Sequence, residues 1–158
     1  MALSESIVGT RYRYPDRYAV EREKVREFAK AVQNEDPAYL SEDAAAELGY
    51  PTLPAPLTFL SVLGYRAQMG FFADAGIGIN DSQIVQVDQA FKYLAPVRAG
   101  DELQCDVSVE SIRRAHGTDI IVTQQVVTDH TGEVVQKTYT TLAGRAGEGD
   151  KGFTDGVA

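Results

Sequence analysis

Leu57 to Ala75 is the segment that most constrains how this chain folds. Leu57, Phe59, Leu60, Val62, Leu63, Tyr65, Ala67, Met69, Phe71 and Phe72 point in every helical direction, so the helix predicted here is buried on most sides. Arg66 and Gln68 interrupt the run, and it is too short to span a bilayer, which makes it a core helix with no membrane insertion. Gly76 is placed to end it. Such a helix has to be wrapped by the rest of the chain.

The wrapping material lies downstream. From Ile84 to Tyr93 the residues alternate with a period of two: Val85, Val87, Phe91 and Tyr93 on one face, Gln86, Asp88 and Lys92 on the other. Gln89 is the polar exception on the apolar face. After the turn Pro96-Val97-Arg98-Ala99-Gly100-Asp101, the residues Leu103, Cys105, Val107 and Val109 repeat the alternation, and the switch to Ile112 predicts a bulge or a strand end. Turns at His116-Gly117 and Asp129-His130-Thr131-Gly132 lead into strands Ile120 to Thr128 and Val134 to Leu142 as hairpins. Upstream, Arg11-Tyr12-Arg13-Tyr14 reads as a short strand. Val25, Phe28, Ala29 and Val32 form the apolar stripe of a surface helix, and Ser41 and Gly49 bracket a second, shorter helix. The fold class is α+β: a curved antiparallel sheet of about five strands around one long helix, the hotdog arrangement. Residues 1–145 form this single domain. A flexible Gly- and Asp-rich tail, 146–158, follows, with Phe153 as its candidate contact.

Composition excludes several functions. With 158 residues and 44% hydrophobic content the chain buries a real core, and 15 basic against 23 acidic side chains leave a charge of −8, which opposes nucleic-acid binding. A lone Cys105 makes no internal disulfide and no metal cage, and the start MALSESIVG lacks a secretory signal, so a cytoplasmic chain without metal or cofactor is expected. There is no Gly-x-Ser-x-Gly elbow and no Gly-rich phosphate loop. His116 and His130 read as solvated turn residues, and Cys105 as a small core residue.

Two places point to a ligand. The first is the stretch Leu53-Pro54-Ala55-Pro56-Leu57-Thr58 ahead of the long helix. Free backbone N–H groups and the positive end of the helix dipole there suit a carbonyl or oxyanion; equally, Pro56 is simply a good first-turn residue. The second is the polar set Ser61, Tyr65, Gln68, Gln86 and Gln89 within apolar periods, which fits an elongated acyl cleft with a few polar contacts or, residue by residue, ordinary internal hydrogen bonding. Arg113 and Arg114 read as solvated surface able to meet an acidic carrier.

Particular motifs add a resemblance. Phe28-Ala29-Lys30-Ala31-Val32-Gln33-Asn34-Glu35-Asp36-Pro37-Ala38-Tyr39, then Leu48-Gly49-Tyr50, Ala55-Pro56-Leu57-Thr58-Phe59, and Phe91 to Asp101 with its Pro-Val-x-x-Gly-Asp turn, resemble the MaoC-like (R)-specific hydratase and dehydratase family. The likeness runs from Met1 to Gly144. Val20 to Lys24, Ile84 to Gln89 and Thr138 to Gly144 resemble one branch, the A-type subunits of the (3R)-hydroxyacyl-ACP dehydratase that elongates mycolic-acid precursors. The family's active motif is Gly-Asp-x-Asn-Pro-x-His. Here Asn34 occupies the catalytic Asp position and Tyr39 the catalytic His position. An amide takes no proton near neutral pH, and a phenol with a pKa of about 10 is a poor base. The resemblance therefore implies no catalytic residue in this chain. It implies a substrate-binding subunit paired with a catalytic hotdog subunit and acting on acyl-carrier-protein thioesters, with Leu57, Phe59, Leu60, Tyr65, Val85, Val87 and Phe91 lining an acyl tunnel. Two other functions stay open: a homodimeric hotdog thioesterase using Asp36, and a non-enzymatic acyl-binding module.

Overall fold

The computed structural model describes residues 3–156. Strands β1 (Arg11–Arg13) and β2 (Tyr18–Ala19) precede helices α1 (Arg22–Ala31), α2 (Glu42–Glu47) and α3 (Ser61–Asp74). The rest is strand: β3 (Ile77–Ile79), β4 (Ile84–Tyr93), β5 (Glu102–Ala115), β6 (Thr118–Thr128), β7 (Val134–Arg145) and β8 (Phe153–Asp155). The main sheet is antiparallel in the order β1-β5-β6-β7-β4, with β2 also paired to β5. Local chemistry explains the junctions. His116 and Gly117 both adopt positive φ, 49° and 73°, which matches the twist of the β5–β6 hairpin. Ser41 Oγ accepts from the Ala44 N–H to start α2, and Gly49 takes φ 86° just beyond its end.

The core lies between α3 and the β5 side of the sheet. Phe59, Leu63, Ala67 and Phe71 meet Leu103, Cys105, Val107 and Ile121, all buried. α1 closes one end: Phe28 packs edge-on against Phe59, with centroids 5.5 Å apart.

The structure corrects one expectation and sharpens two others. First, α3 begins at Ser61, not Leu57: Pro54 and Pro56 precede it, and residues 57–60 turn tightly, with Phe59 N–H donating to Pro56 C=O and Ser61 N–H to Thr58 C=O. Nor is the helix buried on most sides, because the sheet covers one flank and Tyr65 stays 63% exposed, with Arg66 exposed beside it. Second, the contact expected of Phe153 in the tail forms: β8 pairs with β3, and Phe153 is buried against Phe72 with centroids 6.0 Å apart. Gly144 permits this seat, since a Cβ there would stand 2.6 Å from the Phe153 ring. Third, the break in alternation expected ahead of Ile112 is a bulge, and β4 carries a second one that the alternation did not signal. One falls at Glu110 in β5, between the paired Val109 and Ser111, and another at Val87 in β4, between the paired Gln86 and Asp88. β5 then runs on through Ile112 to Ala115.

Candidate functional site

The Val87 bulge decides which side chains face α3. Gln86 stands opposite buried Leu142, while Gln89 and Phe91 stand opposite buried Thr140 and Thr138, so the inward parity changes across the bulge. Val85 pairs with half-buried Ala143 on the other face and is 62% exposed. Val85 and Val87 are exposed and line neither of the two clefts beside α3, contrary to the expected alternation.

α3 and β4 run antiparallel with a groove between them. At the α3 N-terminal end the groove opens into a cleft of about 400 Å³ lined by Tyr39, Pro56, Leu57, Leu60, Tyr93 and Val97 among others. The Tyr93 hydroxyl donates to Leu57 C=O at 2.8 Å and fixes the end of β4 to the approach to α3. Ala55 N–H is taken by Val97 C=O at 2.7 Å. The Leu57 and Thr58 N–H groups, in the turn ahead of α3, meet no protein acceptor among the described residues, which leaves this turn able to donate to a carbonyl.

The loop carrying Asn34, Asp36 and Tyr39 sits at this cleft. Asn34 Oδ1 accepts from Asp36 N–H at 3.2 Å, and Asp36 Oδ1 accepts from Ala38 N–H at 3.0 Å, so both side chains cap the turn that presents Tyr39. Burial, together with Asp36 and Tyr50, pushes the Tyr39 hydroxyl above its usual pKa, against a smaller opposing hydrogen bond from Asn34. Neither Asn34 nor Tyr39 is a base near neutral pH, while Asp36 brings a carboxylate to the lining of this cleft.

Farther along, a second cleft of about 250 Å³ gathers Ser61, Tyr65, Gln68, Gln86 and Gln89, the whole polar set expected to act together, with Gln125 and Thr140 on its floor. Gln125 and Thr140 escaped the sequence reading. Within Ile121-Val122-Thr123-Gln124-Gln125-Val126-Val127 both parities mix polar and apolar residues, so only the register identifies the inner face. Phe91 lies between the two clefts, stacked on Tyr93 with centroids 5.9 Å apart. Phe59 is 0% exposed and belongs to the core, not to a cleft wall. The groove is apolar only near Leu57 and Leu60, because Gln68, Gln86 and Gln89 line its middle.

His116 and His130 are exposed on hairpin tips. Arg114 is paired with Asp119 through two bonds of 2.6 and 2.9 Å, while Arg113 is exposed. Among the described residues no helix is long and apolar enough to cross a membrane, and no three His, Cys, Asp or Glu side chains are placed to hold a metal. Burial, with Asp106 adding to it, pushes the Cys105 thiol from 9.0 up to about 12. The folded chain keeps this proton above pH 9 while the unfolded chain releases it, so stability should fall as pH rises from 9 towards 12. A thiol reagent at pH 8 is expected to label Cys105 only after denaturant is added; rapid labelling of the native chain would contradict that.

Fold and clefts together define a hotdog chain of the MaoC-like dehydratase class. Residues 6–138 match the family model described as FAS1-like, dehydratase domain region. A UPF0336 protein of Mycobacterium leprae is 62% identical over 159 residues, covering 100% of both chains. Another, from Mycobacterium tuberculosis, is 47% identical and covers 94% of this chain and 90% of its own length. Among solved structures, a chain of the C-terminally truncated HadBC (3R-hydroxyacyl-ACP dehydratase) complex of Mycobacterium tuberculosis superposes with a TM-score of 0.82 at 44% identity, over 91% of this chain and 100% of that one. A MaoC-like dehydratase superposes with a TM-score of 0.83 at 39% identity, over 91% of this chain and 44% of that one. The chain belongs to the FAS1-like dehydratase family.

Proposed function

We propose that this chain is the substrate-binding, non-catalytic subunit of a heterodimeric (3R)-hydroxyacyl-ACP dehydratase, which converts a 3-hydroxyacyl thioester to a trans-2-enoyl thioester and water during long-chain, mycolic-type fatty-acid elongation. The observation that carries this reading is the loop at the apolar cleft, where Asn34 and Asp36 are spent on turn capping and Tyr39 is held protonated. The similarity to a HadBC complex chain, itself a (3R)-hydroxyacyl-ACP dehydratase, supports the reaction class.

A partner is favoured by the sheet edge. Among the described residues β4 has a neighbour on one side only, and Val85, Val87 and Leu94 are exposed along or just beyond it, with Leu57 exposed in the turn ahead of α3 and Tyr65 exposed on α3. A ten-residue edge strand with Val85, Val87 and Tyr93 exposed invites pairing with another sheet. A second hotdog subunit that continues the sheet would cover this edge and the open flank of α3 while supplying the missing acid and base. The net charge of −8 assigns capture of an acidic carrier protein chiefly to that subunit's basic residues.

The test is an Asn34→Ala, Tyr39→Phe double variant, co-expressed with the catalytic subunit and assayed for hydration of a trans-2-enoyl thioester. Its rate is expected to stay within about threefold of the unmodified complex, because general acid–base help of about 10²-fold or more comes from elsewhere. A collapse of kcat with the complex still assembled would sink the proposal. Release of free thiol from the same substrates would instead favour the thioesterase reading, since Asp36 lines the same cleft.

A further inference from the structure

Gln68 is 6% exposed and lines the second cleft, yet half of its amide has no partner. Its Oε1 accepts from Thr123 Oγ1 at 2.6 Å and from Gln125 Nε2 at 3.0 Å. Both neighbours donate, which fixes the amide with its oxygen towards the sheet and its Nε2 away from it. No protein acceptor among the described residues meets that nitrogen. Among the described residues no side-chain nitrogen or oxygen sealed from solvent lacks a partner, so Nε2 keeps an open side on the cleft.

The bonds behind it run in one direction. Thr140 Oγ1 donates to Gln125 Oε1 at 3.3 Å and accepts from Gln89 Nε2 at 3.2 Å. Thr123, Gln125 and Thr140 are buried at 0%, 2% and 2%, so this relay is locked by packing. Its ends present a donor, Gln68 Nε2, and an acceptor, Gln89 Oε1, to one cleft of about 250 Å³. Ser61, Tyr65 and Gln86 line the same cleft, and their side chains make no hydrogen bond among the described residues. A plain alkyl chain lying here would leave these groups unmatched, a penalty of about 10- to 100-fold in affinity for each buried one. Methylenes belong in the apolar cleft at Leu57 and Leu60, about eight helical residues or ~12 Å away.

We infer that the cleft between α3 and β4 is a polar subsite in which Gln68 Nε2 donates to, and Gln89 Oε1 accepts from, an amide or hydroxyl group of the thioester ligand. This rests on the acyl-thioester reading above. Two parts of such a ligand carry that chemistry: the pantetheine arm, with its secondary amides and hydroxyl, and an acyl chain oxygenated along its length.

The test uses the full chain assembled with its catalytic subunit. Gln68→Met keeps the length and removes the N–H groups. Its KM is expected to rise about 10-fold for a trans-2-enoyl pantetheine thioester with kcat kept, and to stay within twofold for the N-acetylcysteamine thioester, which lacks the outer amide and the hydroxyl. A rise confined to an enoyl substrate with a mid-chain hydroxyl supports the subsite and names the acyl chain as its source. Unchanged KM for all three substrates overturns the inference. Gln89→Met, on the half-buried edge strand, tests the acceptor end should Gln68→Met melt early, and an unchanged KM there overturns it as well. If the unmodified complex hydrates none of the thioesters, the dehydratase reading fails. Calorimetry with a saturated acyl-pantetheine then still reads the subsite: about 10-fold weaker binding to Gln89→Met upholds it, and equal binding overturns it.

Discussion

Purified alone, the chain is expected to hydrate a trans-2-enoyl thioester about 10²- to 10⁴-fold more slowly than when assembled with a catalytic hotdog subunit, the range a positioned acid or base normally supplies. The titratable candidates are accounted for apart from Asp36, whose carboxylate lines the apolar cleft while its Oδ1 accepts from the Ala38 N–H. Asn34 is an amide whose oxygen already accepts from the Asp36 N–H. Tyr39 is pushed further from neutrality by burial and by Asp36. His116 and His130 stand on exposed hairpin tips, outside both clefts. Cys105, with its thiol raised to about 12, is shut inside the core. What remains is the Asp36 carboxylate, kept for the thioesterase reading, and a turn ahead of α3 with two free N–H groups, which polarises a carbonyl but moves no proton. Titrating the catalytic subunit into this chain should raise the rate until the two are equimolar. Full activity from the isolated chain would remove the basis for calling it non-catalytic. A partner whose rate and chain-length preference ignore this chain would favour the acyl-binding module.

Phe59→Ala is expected to destabilise the chain by about 3–5 kcal/mol in urea denaturation, as for other large-to-small changes at sealed core positions, whereas Leu57→Ala should cost under about 0.5 kcal/mol. The two residues are neighbours in one motif and were both expected to line the acyl tunnel. Phe59 is 0% exposed and meets Phe28 edge-on at 5.5 Å and Tyr18 at 6.3 Å, so its removal leaves a void that the packed rings cannot refill. Leu57 is 65% exposed beside the apolar cleft and supports no core contact of that kind. Its loss should raise KM for long acyl thioesters while leaving the unfolding midpoint in place. Equal midpoints for the two variants would contradict the division between core and site.

Much of the fold was legible because two periods dominate it. The span from Ile84 to Tyr93 is β4 residue for residue, and the Asp129 to Gly132 turn separates β6 from β7 as the alternation required. The helix after Ser41 ends before Gly49 for the capping reasons readable in the sequence. Less of the site was legible. The polar set Ser61, Tyr65, Gln68, Gln86 and Gln89 does converge on one cleft. Val85 and Val87 were assigned inward because a period-two count carries no information about the bulge at Val87. Gln125 and Thr140 were invisible for a related reason: they sit in stretches where either face is plausible, and strand pairing alone decides.

By itself, the sequence determined the α+β class, the strand order along the chain and the residue types, Asn34 and Tyr39, at the positions where the resemblance expects an acid and a base, because these follow from residue type and spacing over a few positions. Only the tertiary structure decided the rest. It placed Phe59 in the core, turned Val85 outward, tied Phe153 into a strand against β3 and brought Gln68, Gln125, Thr140 and Gln89 into one directed chain of hydrogen bonds. Each of these outcomes depends on contacts between residues distant in sequence, whose geometry is set by sheet register and by the bulges that shift it.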